Sequence, residues 1–322
     1  MARVDWRDRL DDMESDQSAT RSTGGDGFLI GVDLGGTNVK LAAVTPAGRV
    51  LLREQFGTAD DASAAWLNAI REAIGGIEQR LGEAVGIGVA SPGLAAADGR
   101  SMAWMQGRLS AVQGLDWTTA LNRRAVVGVL NDAHAAMLGE VWIGAAAGAR
   151  NAVMLTLGTG VGGAILCDGR LLRGHLGRAG HLGHTSLDPA GRLDIVNTPG
   201  SLEDAIGECT LGQRSGGRFQ STRRLVEAAA GGDAEAAGIW MASVRALAAG
   251  IAGIINAVDP EVLILGGGIA RADEALMRPL RMFLDQFEWR PTGEGVRIVQ
   301  AQLADYAGAL GAAHHAWRTT QS

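Results

Sequence analysis

Short apolar runs, each closed by a glycine-rich or tight turn, alternate along this chain with longer stretches whose apolar positions recur every three or four residues. The runs predict buried strands and the longer stretches predict amphipathic helices. Phe28 to Thr45 reads strand, Gly35-Gly36-Thr37 bend, strand; the turn Pro46-Ala47-Gly48 leads to a third strand, Val50 to Gln55. Trp66, Ile70, Ile74, Ile77 and Leu81 then mark one face of a helix. The strand ending in Ser91-Pro92-Gly93 follows, and Val126 to Leu130 delivers Asn131 and Asp132 to a helix that begins at Ala133. The second half repeats the opening. Val153 to Leu155 runs into Gly158-Thr159-Gly160, Ala164 to Leu166 returns, and Cys167-Asp168-Gly169-Arg170 closes the hairpin. Beyond it the spacing predicts helices over Glu203 to Arg214, Thr222 to Ala229 and Ala234 to Val258, then a strand, Val262 to Leu265, entering Gly266-Gly267-Gly268. A helix over Ala272 to Phe287, a strand over Val296 to Ala301 and a helix over Ala307 to Trp317 complete the chain.

Two glycine-bend hairpins, each opening one half of the chain, form the internal repeat expected of an α/β protein with an actin-like ATPase fold. Glycine lets the backbone approach a ligand closely and turn its N–H groups toward an anion, which cradles a phosphate without a charged side chain. Glycine-rich hairpins also arise for structural reasons, so either bend alone leaves both readings open. Asn-Asp at a helix start has a similar double meaning, since Asn131 can be a plain N-cap.

Composition narrows the setting. With 322 residues, 47% of them hydrophobic and 20% charged, the chain is long enough for two domains with cores of their own. A net charge of −6 invites neither nucleic acid nor an anionic membrane. No uninterrupted apolar run reaches the ~18 to 20 residues of a bilayer span, and the N-terminus lacks an apolar signal core, so a cytoplasmic location is expected. Cys167 and Cys209 have no framework or metal-ligand spacing and are expected to be free thiols. Residues 1–27 are polar and read as a flexible extension, with a short helix near Val4 to Met13.

In order, DLGGTNVK, NDAHAAMLGE, LGTGVGG leading to GHLGH, and LILGGG resemble the ROK family of bacterial sugar kinases and sugar-responsive repressors, over Phe28 to Trp317. The resemblance implies a duplicated, ribonuclease H-like, actin-like ATPase fold with an interdomain cleft. It implies a small domain of 28–132 plus about 305–322 and a large domain of 133–304. It also implies ATP and Mg2+ as cofactors, with Asp33 orienting the water shell of the ion, Gly35, Gly36, Thr37, Gly158, Thr159 and Gly160 holding phosphates, and Gly266 and Gly267 bordering the adenosine. Asp132 falls where the family holds its catalytic base, and Asn131, Gly93, His184 and Glu203 fall at sugar contacts. His134, where the family often has asparagine, reads as a helix-surface residue.

The chain departs from the family on the sugar side. His181 replaces a glutamate, Gln106 and Arg108 are the candidates in a loop that commonly offers an asparagine, and Asp194, Val196 and Ser201 stand at the positions of zinc-binding cysteines. Without thiolates no structural zinc is expected. About 27 residues ahead of the first hairpin cannot hold the winged-helix domain of the family's repressors. The leading expectation is an ATP-dependent, glucokinase-like sugar kinase acting on a small-molecule sugar, with no nucleic-acid or membrane partner. A non-catalytic sugar sensor is the alternative, motivated by the altered sugar side. Dimers are common in similar proteins, which leaves a homodimer open.

Overall fold

The computed structural model describes residues 27–59, 64–105 and 109–321. The segment 1–26, with the helix expected near Val4 to Met13, lies outside the described residues, as do Gln106 and Arg108. In chain order the strands are β1 (Leu29–Leu34), β2 (Asn38–Val44), β3 (Val50–Gly57), β4 (Gly86–Ser91), β5 (Leu94–Ala95), β6 (Met102–Trp104), β7 (Gly128–Asn131), β8 (Ala152–Leu157), β9 (Val161–Cys167), β10 (Arg170–Leu171), β11 (Val262–Gly266) and β12 (Arg297–Gln300). The α-helices are α1 (Ala65–Leu81), α2 (Trp117–Ala120), α3 (Asp132–Ile143), α4 (Leu202–Ile206), α5 (Leu211–Arg214), α6 (Thr222–Ala230), α7 (Ala234–Val258), α8 (Glu274–Phe287) and α9 (Ala307–Thr320).

The described residues form two compact units, one of 27–148, 171–179 and 302–321, the other of 149–170 and 180–301. Each contains a five-stranded sheet, ordered β3-β2-β1-β4-β7 in the first and β10-β9-β8-β11-β12 in the second. Counted within each five-stranded sheet, both orders are 3-2-1-4-5. The central strand pairs antiparallel with its hairpin partner and parallel with the strand after the crossover in both. This is the duplicated ribonuclease H-like unit of the actin-like ATPase fold, and it accounts for the sequence repeat.

Strand period fixes what each face of β1 does. Ile30, Val32 and Leu34 join Trp66, Ile70, Ile74 and Ile77 of α1 in one core, while Leu29 packs with Leu310 and Ala313 of α9 on the other side. Gly31 and Asp33 therefore share the α9 face. Gly31 pairs with Gly88 of β4, and a Cβ on either would run into the backbone of α9, at Ala309 O and Ala312 O respectively. Gly311 of α9 lies just as close to Ala135 O of α3. Gly311→Ala should therefore destabilise the fold by about 3 kcal/mol through overpacking, read as a fall of several degrees in melting temperature.

Helix α3 belongs with the first unit because it packs along α9. Glu140, fully buried in α3, ties that packing together. Its Oε1 accepts the N–H groups of Gln302 (2.9 Å) and Leu303 (2.8 Å), and its Oε2 accepts that of Ala145 (2.7 Å). A buried carboxylate met by three backbone donors is a satisfied one.

In the second unit, Val153, Leu155 and Leu157 of β8 pack with Leu263 and Leu265 of β11 against α7 and α8. Although no uninterrupted apolar run has the length of a bilayer span, α7 has that length and a mean hydropathy of 1.6, because alanine and glycine fill its outward positions. With 56% of that span buried, it is placed as the core helix of this unit. Cys167 and Cys209 are both free and exposed.

Candidate active site

The first unit gathers Asp33, the Gly35-Gly36-Thr37 bend, Gly93, Asn131 and Asp132. The bend is closed by Gly35 N–H on Asn38 O (3.0 Å) and held from outside by Thr58, whose hydroxyl donates to Gly35 O (2.7 Å) and whose N–H donates to Thr37 O (2.8 Å). No motif in the sequence pointed to Thr58. Thr37 is left exposed at the tip.

Asp33 is half-buried at the end of β1, against the first turn of α9. A Cβ on Gly308 would lie 2.7 Å from Asp33 Oδ2. Its pKa is pushed up to about 7, first by burial and then by the nearby charge of Asp132, with Asp305 adding to the rise and Lys40 opposing it. Lys40, the only lysine in the chain, faces Asp33 across the hairpin in the β1–β2 register.

Asn131 and Asp132 sit where β7 passes into α3. Asn131 does cap that helix, its Oδ1 accepting from Ala133 N–H (3.0 Å) and His134 N–H (3.3 Å). Its amide nitrogen donates to Gly93 O at 2.9 Å, so one side chain fixes both the helix start and the turn after β4. Gly93 holds φ at +100°, and a Cβ there would come within 2.6 Å of Trp104 O, so glycine is required. Asp132 accepts from Ala133 N–H (2.8 Å) and remains open to solvent. Its pKa is nevertheless raised, because desolvation by surrounding protein outweighs the hydrogen bonds from Ala133 and Asn131. His134 is not on the helix surface: it is buried, and its Nε2 bonds Ala179 O at 3.1 Å.

In the second unit, Gly158 N–H donates to Gly160 O (2.9 Å) across the bend, with Thr159 exposed at its tip as Thr37 is in the first. Glu208 and Cys209 donate their N–H groups to Gly158 O and Thr159 O, each at 2.9 Å. Glu203 Oε2 accepts Val161 N–H at 2.8 Å, and a Cβ on Gly160 would collide with that carboxylate. Glu203 thus buttresses the bend. Gly267, at φ +87°, lies against Leu157 O at the foot of the same hairpin, next to Gly266, which pairs with Thr156.

The GHLGH loop lies directly on β9. A Cβ on Gly163 would come 2.6 Å from Gly180 O, and one on Gly183 would strike Val161 O. Gly163 therefore serves the seating of this loop. His184 Nδ1 bonds Asp194 Oδ2 at 2.9 Å, and Asp194 Oδ1 accepts the N–H groups of Val196 (2.9 Å) and Thr198 (2.8 Å). Burial alone would raise the Asp194 pKa, but the hydrogen bonds from Thr198, His184, Val196 and Ser201 outweigh it and hold the carboxyl below its usual range. Burial, and secondarily His184, keeps the pKa of His181 below the ordinary histidine value.

These side chains do not fit a zinc ion. Asp194 is committed to His184 and two backbone donors, Ser201 caps α4 by accepting Asp204 N–H (3.2 Å), and Val196 is apolar. No thiolate stands among them.

The fold and these two clusters define a two-unit nucleotide-dependent phosphotransferase of the actin-like ATPase class. The ROK family signature matches residues 29–318, and the chain belongs to the ROK family. It is 33% identical to a glucokinase of Thermotoga maritima, with 88% of this chain and 96% of that one covered. It is 31% identical to an N-acetylmannosamine kinase of Yersinia pestis, again with 88% and 96% covered. The crystal structure of a ROK family glucokinase from Streptomyces griseus, in complex with glucose and AMPPNP, superposes with a TM-score of 0.75 at 27% identity, covering 91% of this chain and 100% of that one.

Proposed function

We propose that this ROK-family, ATP-dependent sugar kinase transfers the γ-phosphate of ATP to a hydroxyl of a hexose or hexose derivative, with Asp132 as general base. The observation that carries the assignment is the Asp132 carboxyl: open to solvent, fixed at a helix start, and raised in pKa above the ordinary carboxylate value by desolvation. Asp132 accepts the proton of the attacking sugar hydroxyl, and Asn131 holds the Gly93 turn beside it. Gly93, Asn131, His181, His184 and Glu203 are assigned to the sugar, with Gln106 as a further contact. His181, whose pKa burial lowers, offers one directed hydrogen bond per ring nitrogen where a carboxylate would only accept.

On the nucleotide side, Gly35, Gly36, Thr37, Gly158, Thr159 and Gly160 are assigned to the phosphates, with Gly35 and Gly158 closing the two bends through their own N–H groups, and Gly266 and Gly267 are assigned to the adenosine. Phosphoryl transfer asks mainly for positioning and charge stabilisation, which two rigid bends supply. The surroundings of Asp33 fit Mg2+ carried with ATP. The pKa of its carboxyl is pushed up to about 7 by burial and then by Asp132, so the carboxylate lacks a charge partner strong enough to hold it ionised, and a hard cation favours oxygen donors and keeps several waters, which Asp33 can orient. When bound, Mg2+ neutralises phosphate charge.

ADP release from ATP and Mg2+ should depend on a sugar, tested across hexoses, hexosamines and N-acetylhexosamines. Turnover on one class is expected and names the substrate. ATP consumption unaffected by any sugar contradicts the proposal.

A further inference from the structure

The segment 171–179 leaves the second hairpin and packs within the first unit before the chain returns at Gly180. Contacts along its length hold it. The Arg173 guanidinium lies beside Gly99, where a Cβ would be 3.3 Å from Nη1. Gly177, at φ +81°, lies on Ala95, where a Cβ would be 2.9 Å from the carbonyl oxygen. The last contact is Ala179 O on His134 Nε2, at 3.1 Å. Ala179 also donates its N–H to Arg173 O at 3.2 Å, which closes the segment on itself. A carbonyl only accepts, so the bond requires the hydrogen of His134 on Nε2.

His134 is in the first turn of α3, two residues after Asp132, and is 2% exposed. Its own N–H is tied to the Asn131 cap. The imidazole therefore starts from a fixed backbone and is packed in place, a rigid post rather than a mobile surface group. The residue it holds, Ala179, is followed directly by Gly180 and His181. Gly180 is at φ +91°, and its carbonyl lies against Gly163.

We propose that His134 is a positioning residue for sugar binding: by donating Nε2–H to Ala179 O, it fixes the end of the 171–179 segment from which Gly180 and His181 emerge. It touches no reacting atom. The inference rests on the assignment of His181 to the sugar.

The test compares wild type with His134→Leu, which keeps bulk and removes the donor, and His134→Gln, whose side-chain amide places an N–H at a similar reach. Glucose and N-acetylmannosamine serve as probes, with calorimetric sugar affinity, KM for each substrate and melting temperature as readouts. His134→Leu should weaken sugar binding and raise sugar KM about five- to tenfold, the effect of one hydrogen bond, while KM for ATP stays unchanged and His134→Gln restores sugar affinity. Equal sugar affinity in all three proteins overturns the inference while leaving the kinase reading intact. So does a loss shared equally by sugar and ATP, or one that glutamine does not recover. If wild type binds neither probe nor any other sugar of the panel, the kinase reading and this inference fall together. Should His134→Leu fail to fold, His134→Met, which likewise keeps bulk and removes the donor, takes its place beside His134→Gln and is read by the same outcomes.

Discussion

Asp132→Asn is expected to lower turnover by roughly 10²- to 10⁴-fold while leaving ATP affinity largely intact, the loss attributed to removal of a general base. The substitution isolates chemistry from folding. Asparagine keeps an oxygen that can accept Ala133 N–H, and the cap of α3 is provided separately by Asn131. What it cannot do is take a proton. Steady-state kinetics, with nucleotide affinity measured in parallel, checks the prediction, and near-normal turnover would remove Asp132 from the mechanism.

Asp33→Asn should have opposite effects on stability and activity. The folded protein raises the Asp33 pKa from 3.8 to about 7, so the fold prefers the protonated carboxyl. That preference is fully present below the unfolded value and is lost as pH rises through about 7. At ~1.4 kcal/mol per pH unit, the ionised group costs the ligand-free fold at most about 4 kcal/mol at pH 8, and less in practice because solvent reaches this half-buried side chain. The asparagine variant should therefore melt higher than wild type at pH 8, with the difference shrinking toward pH 5. Its use of Mg2+ and ATP should collapse. In the wild type, kcat/KM for ATP with Mg2+ should fall as pH drops below about 7, because a proton then competes with the cation. Thermal melts of both proteins between pH 5 and 8 test the stability half, and a variant less stable than wild type at pH 8 contradicts it.

Much of this was readable in the sequence because it rests on local pattern. The paired hairpins, the amphipathic face of α1 and the limits of α7 follow from apolar period and from turn residues, and the repeat gave the duplicated topology. The long helix expected over Glu203 to Arg214 instead breaks at Gly207, where the backbone is extended. Just beyond the break, Glu208 and Cys209 give their N–H groups to Gly158 and Thr159, and hydrogen bonds to the hairpin override helix propensity. Likewise the helix expected from Ala272 begins at Glu274, after Asp273 adopts φ +49°.

The site divides in the same way. Glycines that cradle and glycines that merely pack are identical in sequence, so Gly163 and Gly183 could be told from Gly158 only once their neighbours were known. The bond from His134 to Ala179 and the Gln302 donor on Glu140 join residues distant in the chain, and the Asp194 clamp on His184 bridges a loop with no periodic pattern. Asp194 could be located from sequence only as a missing cysteine. Its work is to clamp His184 and the N–H groups of Val196 and Thr198.

Phosphorus NMR of a reaction containing ATP, Mg2+ and the sugar that stimulates ADP release tests the central claim most directly. The account predicts a sugar phosphomonoester formed one-for-one with ADP, and its absence when Asp132→Asn replaces the wild type. Inorganic phosphate as the sole product would contradict it, because the γ-phosphate would then have gone to water.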